Sequence, residues 1–110
     1  MAKIKLLVVG MAAVASFALA AHADEPEIGI SIRDHHFVPD EVSAPAGQKL
    51  KLVVKNEDKT PSEFESVDFH REKVVLPGHE ITVFVGPLTA GKYEFFDDFH
   101  PETRGHLVVK

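Results

Sequence analysis

Apolar and polar residues alternate with a period of two in several short runs along this chain. Ile28, Ile30 and Ile32 alternate with Glu27, Gly29, Ser31 and Arg33. Leu50, Leu52 and Val54 share one face opposite Lys49, Lys51 and Lys55, and Ile81, Val83 and Val85 repeat the pattern. Successive side chains of a strand point to opposite faces, so this spacing predicts half-buried strands. Shorter strands are expected at Glu63 to Val67, Lys73 to Leu76, Lys92 to Phe96 and Gly105 to Lys110. Ala46-Gly47, Pro77-Gly78 and Ala90-Gly91 supply turns, and Asn56 to Ser62, with Pro61 inside it, reads as a loop. Val38-Pro39-Asp40 interrupts the first strand region, and only Asp68 to Lys73 leaves room for a helical turn. About seven short strands separated by turns predict an all-β domain. Each strand has one wet face, and packing two sheets together buries the other, which favours a β-sandwich. The lysine face of the Lys49 to Lys55 strand reads as its solvated side, one that also discourages edge pairing.

The first residues follow another rule. Lys3 and Lys5 precede an apolar stretch from Leu6 to Ala21, and Ala21-His22-Ala23 has the small-x-small form of a cleavage site. This predicts a signal peptide over residues 1–23 and one mature domain over residues 24–110. The apolar run is short for a bilayer span, so the mature protein is expected to be exported and not membrane-spanning. Loss of the two lysines takes the net charge from −5 to −7 with histidines neutral. An acidic domain of this kind lacks the basic face that nucleic acid requires. There is no cysteine, which excludes disulfides, thiol nucleophiles, zinc fingers and iron–sulfur clusters. No glycine-rich phosphate loop or nucleophile elbow is present, and so short a domain leaves little room for a sugar cleft.

The chemistry concentrates in Tyr93-Glu94-Phe95-Phe96-Asp97-Asp98-Phe99-His100. Tyr93 and Phe95 form a core-facing pair, and Asp97 is next on their side. A carboxylate that continues a buried aromatic face needs a partner. His100 follows after the strand, where a turn can bring it over the same rim. An Asp and a His meeting there suit a first-row transition metal, although the same residues also make an ordinary solvated loop. Glu63 and Glu65 share a face opposite Phe64, as further ligands at that rim or as an exposed strand face. His35 and His36 end the first strand, as ligands or as surface residues. His70 is a candidate peripheral ligand, His79 follows a turn and is expected to be exposed, and His106 starts the last strand near His100.

These segments together resemble cupredoxin domains. Phe37-Val38-Pro39-Asp40, Val42, Ala46-Gly47 and Leu50 to Asn56 resemble the opening of such domains. Gly91-Lys92-Tyr93-Glu94-Phe95, followed by His100 and Gly105, resembles the ligand loop. The resemblance implies a cupredoxin-like Greek-key β-sandwich. Asp97 stands where the cupredoxin Cys is expected, His100 where the loop His is, and Thr103 near the Met position. The His that follows the Asn-containing loop is missing, and Ser62, Glu63 or Glu65 takes its place. Blue-copper electron transfer requires the thiolate and is thereby excluded. Glu63-Phe64-Glu65-Ser66 and Tyr93 to His100, through Arg104-Gly105, resemble the cupredoxin-like proteins of bacterial periplasmic iron uptake, the FtrB type and the EfeO-type cupredoxin domain.

That second resemblance implies a periplasmic location, with a periplasmic iron-binding protein and an inner-membrane iron permease as partners. It also implies iron and/or copper as the bound ion, held by Glu63, Glu65, Asp97 and His100 with His35 or His36, and a role in ferrous iron uptake. Oxidation of Fe2+ with copper or a partner protein is one form of that role. A non-catalytic periplasmic copper or iron carrier is the alternative. An interaction domain without metal, in which Asp97 and His100 only pair with each other, is the third reading.

Overall fold

The computed structural model describes residues 25–110, so the predicted signal peptide lies outside the described residues. Nine strands follow one another: β1 (Glu27–Arg33), β2 (His36–Val38), β3 (Glu41–Ala44), β4 (Leu50–Asn56), β5 (Ser62–Ser66), β6 (Arg71–Val75), β7 (Glu80–Val85), β8 (Gly91–Asp97) and β9 (His100–Val109). They form a four-stranded sheet in the order β2-β1-β4-β7 and a five-stranded sheet in the order β3-β9-β8-β5-β6. β1 runs parallel to β4 and β3 parallel to β9, while every other pairing is antiparallel. Among the described residues there is no helix, and none that is long and apolar enough to cross a membrane.

The alternation seen in the sequence sets the core. Ile30 and Ile32 from β1, Leu50, Leu52 and Val54 from β4, and Val83 and Val85 from β7 line the inner face of one sheet. Phe64, Phe95, Leu107 and Val109 face them from the other. Phe37 joins the two, its ring centroid 4.9 Å from that of Phe95 and 6.1 Å from that of Phe64, both edge-on. Edge-to-face contacts place the positive rim of one ring on the negative face of the next.

Two strands exceed the expected count because they are short. β2 and β3 flank the Val38-Pro39-Asp40 interruption and together have only seven residues, too few for alternation to show. The helical turn expected at Asp68 to Lys73 is a tight turn that ends at His70, which has φ 57°, before β6 starts at Arg71. β9 begins at His100, five residues before the expected Gly105, because its first half pairs with β8 in a tight hairpin. The lysine side of β4 is exposed or half-buried as expected, but β4 lies between β1 and β7 and guards no edge.

Candidate metal centre

Asp97 ends β8, where the inward face of that strand reaches the rim of the sandwich. It is completely buried. Its neighbour in register on β5 is Phe64, so both side chains turn to the interior. The carboxylate is held from three sides. Oδ1 accepts the backbone N–H of Glu63 at 2.9 Å and that of Phe99 at 3.0 Å, and Oδ2 lies 3.0 Å from His100 Nδ1. Burial alone would raise the pKa of Asp97. The Glu63 N–H, His100 and the Phe99 N–H outweigh burial and hold it below the usual carboxylate value. The Ser62 hydroxyl is buried and completes no hydrogen bond of its own. A bulge between Phe96 and Asp97 lets the two-residue Asp98-Phe99 tip bring His100 back opposite Asp97.

His35 reaches the same rim from the other sheet. Asp34 and His35 form the two-residue turn between β1 and β2, with φ 49° and 59°. Positive φ at both central residues is the type I′ form of a two-residue hairpin turn, and Asp tolerates it better than most. The turn amides are gripped by Asp58, whose oxygens accept Asp34 N–H at 2.7 Å and His35 N–H at 3.0 Å. Asp58 is itself placed by buried Asn56, whose Oδ1 accepts the Asp58 N–H at 2.9 Å. The Nδ2 of Asn56 donates to the carbonyls of Thr60 and Val75 at 2.8 and 3.0 Å. The buried Thr103 hydroxyl donates to the His35 carbonyl. The outcome is an imidazole of His35 lying against that of His100, with ring centroids 4.1 Å apart and planes tilted by 32°.

Glu63 and Glu65 lie elsewhere. They flank inward-facing Phe64 and therefore point to the outer face of the five-stranded sheet. There Glu65 sits directly opposite Glu72 of β6. One carboxylate oxygen from each of Glu63, Glu65 and Glu72 lies within 4.8 Å of the others, the only such group of three metal donors among the described residues. Partial burial raises the pKa of both Glu63 and Glu65, and repulsion from Glu72 and Asp98 adds to it. Like charges opposite each other across two strands destabilise a sheet unless something offsets them. Beside this group a cleft of about 310 Å³ is lined by Glu65, Glu72, His70 and Arg71 among others.

The six residues singled out from the sequence are thus divided by β5. Asp97, His100 and His35 meet at the rim, while Glu63 and Glu65 gather on the outer face with Glu72. His36 faces solvent on β2. His79 is exposed, and His106 lies near Glu94 on the outer face, 3.7 Å between Nε2 and Oε2, away from His100. Of Ser62, Glu63 and Glu65, only Ser62 turns inward beside Asp97. Sequence reasoning missed Asp58 and Glu72. The Asn56-Glu57-Asp58 run did carry a signal for the first, since an Asn commonly accepts the N–H two residues on. For Glu72 the signal appears only once the β5–β6 register is known.

The chain is a two-sheet β-sandwich with most of its inward polar groups, Asn56, Ser62, Asp97 and Thr103, collected at one end, while Ser66 lies at the other end of β5. It belongs to the cupredoxin-like domain family, whose model matches residues 6–109. An uncharacterised protein of Rickettsia prowazekii (strain Madrid E) is 48% identical over 84 residues, 76% of this chain and 67% of that protein. Amicyanin from Paracoccus versutus shares the fold with a TM-score of 0.63 at 19% identity, covering 83% of this chain and 88% of amicyanin. Auracyanin A, a blue copper protein of Chloroflexus aurantiacus, gives 0.67 at 15% identity, covering 79% of this chain and 100% of auracyanin. The metal-binding domain of the Cu(I)-exporting ATPase CopA of Streptococcus pneumoniae D39 gives 0.67 at 14% identity, over 76% of this chain and 84% of that domain.

The fold is thus related to copper-binding proteins, but the residues here do not fit a blue-copper ion. The rim offers Ser62, Asp97, His100 and Thr103, with no thiolate or thioether, and the Thr103 hydroxyl is committed to His35. Imidazole nitrogen and carboxylate oxygen are the donors left.

Proposed function

We propose that this is a periplasmic metal-binding protein that assists ferrous iron uptake, with iron held on the outer face by Glu63, Glu65 and Glu72. The observation that carries the reading is the convergence of three carboxylates within 4.8 Å with raised pKa values at two of them. A multivalent cation is the ligand that turns this repulsion into attraction. Carboxylate oxygens are hard donors and prefer iron to Cu(I), and Fe3+ to Fe2+. Such a site therefore lowers the potential of bound iron and favours its oxidation. Oxidation releases one electron per Fe2+, which a cupric ion at the Asp97, His100 and His35 rim or a partner protein would accept. The partners that suit the role are a periplasmic iron-binding protein and an inner-membrane iron permease.

Anaerobic titration of the exported protein with Fe2+, followed by admission of air, tests the reading. The expected result is saturable binding that Glu65→Gln weakens at least tenfold, with Glu63→Gln similar. Iron oxidised over several equivalents marks an oxidase, and stoichiometric oxidation marks a carrier. Iron binding indifferent to both substitutions refutes the site. The same Glu65→Gln change should slightly raise the melting temperature of the metal-free protein, because it removes one of two opposed charges.

A further inference from the structure

We infer that His35 and His100 form a two-imidazole site for a divalent ion of the Cu2+ type, in which Asp97 and Asp58 are orienting carboxylates and not ligands. The inference rests on the metal-handling reading above and assigns the atoms of its rim.

Asp97 is unsuited to coordination as it stands. Its side chain has no exposed surface, and both oxygens already accept hydrogen bonds from β5, from the β8–β9 tip or from His100. Oδ1 is taken up by two backbone N–H groups, and Oδ2 faces the His100 imidazole, so a metal on Asp97 would have to displace His100 from its carboxylate. His100 is different. Its side chain is 27% exposed, and the nitrogen that faces inward is the one on Asp97. An imidazole that gives its Nδ1 proton to a carboxylate keeps its lone pair on Nε2, the arrangement found behind most metal-bound histidines.

His35 stands beside a carboxylate in a looser version of this pattern, from the opposite sheet. Its Nδ1 lies 3.6 Å from Asp58 Oδ2, longer than a hydrogen bond, and its side chain is 46% exposed. The backbone beneath it is over-determined. Asp58 holds the turn amides, Thr103 holds the carbonyl, and the residue is a non-glycine in the left-handed region. Such conformations persist where the surroundings enforce them and gather at functional positions. What this enforcement achieves is one contact, the His35 ring against the His100 ring at 4.1 Å. Two adjacent imidazoles with Nε2 free offer two nitrogen donors and leave the other positions to water. Imidazole nitrogens favour Cu2+ over Fe2+ more strongly than carboxylate oxygens do, so donor type biases the rim toward copper relative to the outer face.

Cupric ion titration of the exported protein, read by electron paramagnetic resonance and by competition with a chelator, tests this. The expected spectrum shows coupling to two imidazole nitrogens. His35→Ala and His100→Ala should each remove one coupling and weaken binding at least tenfold. Asp58→Asn should keep both couplings while lowering affinity about 10–100-fold, the usual effect of losing an orienting carboxylate. Asp97→Asn should do the same if it folds. A copper signal unchanged in His35→Ala, or copper affinity unchanged in Asp58→Asn, overturns the inference. Loss of the signal in Glu65→Gln would place copper on the outer face and overturn it too, leaving the iron reading intact. Copper bound by two imidazoles beside failed iron titrations would leave the inference standing and the iron reading refuted.

Discussion

Replacing Asp97 with alanine is expected to destabilise the metal-free protein by about 3–5 kcal/mol, a large share of the stability of a domain this size. The loss has identifiable parts. The N–H groups of Glu63 and Phe99 lose their acceptor, and His100 loses the carboxylate on its Nδ1. Buried donors left unpaired cost about 1–3 kcal/mol each. Urea unfolding should show a lower midpoint with an unchanged slope, because the surface exposed on unfolding is the same. An effect under about 1 kcal/mol would mean that water replaces the carboxylate and that the rim is wet.

The same residue fixes part of the acid response. The fold holds the pKa of Asp97 below its unfolded value, so the charged form is the one the native state prefers. Its stabilisation is complete above the ordinary carboxylate value and is lost as pH falls through the depressed one. Glu63 and Glu65 act with opposite sign. Their pKa values are raised, so their repulsion is present above the folded values and relaxes as pH falls through them. Stability of the metal-free protein should therefore rise slightly on mild acidification and then fall steeply. Glu57, whose pKa is lowered as well by Ser31 and Arg33, adds to the fall, so Asp97→Asn should lessen the fall and keep the rise.

How much of this was legible in the sequence depends on which structural link carries each residue. The period-2 runs located β1, β4, β7 and β8 because each has several apolar residues on one face, and that face is the core. Asp97 was legible for the same reason, as the next inward residue after Tyr93 and Phe95. The pairing of Asp97 with His100 needed only a tight turn between them. What the sequence could not show was register. Phe64 opposite Asp97 sends Glu63 and Glu65 outward, and Glu65 opposite Glu72 supplies the third carboxylate. One residue of slip would have put both glutamates inside, because alternate residues exchange faces. The sequence offered His35 and His36 alike as ligands and could not choose between them, because the place of His35 depends on a turn conformation and on Asp58, which is 23 residues away in the chain.

The separation of the two donor groups also bears on mechanism. The Glu63 N–H is bonded to Asp97, and the Glu63 side chain belongs to the outer carboxylates. Asp98, next in the chain to Asp97, donates its N–H to the Glu63 carbonyl at 2.9 Å. One short stretch of β5 and the β8–β9 tip thus connects the rim to the outer face through backbone hydrogen bonds. A cation that draws Glu63 toward it acts directly on the strand that holds Asp97, so occupancy of one group should be felt at the other.

Gly105→Ala is expected to cost about 3 kcal/mol and to weaken copper binding without touching a ligand. Gly105 lies opposite Phe95 in the β8–β9 ladder and is buried beneath its ring. A Cβ at this position would stand 2.5 and 2.7 Å from two atoms of the Phe95 ring and 2.8 Å from the Asp40 carbonyl oxygen. The ring has no room to yield, since Phe37 and Phe64 pack on it with centroids 4.9 and 5.3 Å away. The Asp40 carbonyl is also fixed, as it accepts the His106 N–H at 2.8 Å. Overpacking of this kind costs about 1–3 kcal/mol and is relieved by moving backbone. With the ring and the carbonyl held, the strain falls on β9 itself, which carries His100 at its start and Thr103 two residues before the glycine. A shift of β9 pulls the Thr103 hydroxyl from the His35 carbonyl and separates the two imidazoles. Phe95→Leu made alone should destabilise the protein, but combined with Gly105→Ala it should recover part of the loss, a non-additivity that marks direct contact. Copper affinity measured on the same four proteins decides the functional half of the argument. If it follows stability, falling in Gly105→Ala and recovering in the double variant, the ring of Phe95 supports the rim through β9. Stability that falls while affinity holds would show that the histidines are set by the Asp58 turn and the β8–β9 tip alone.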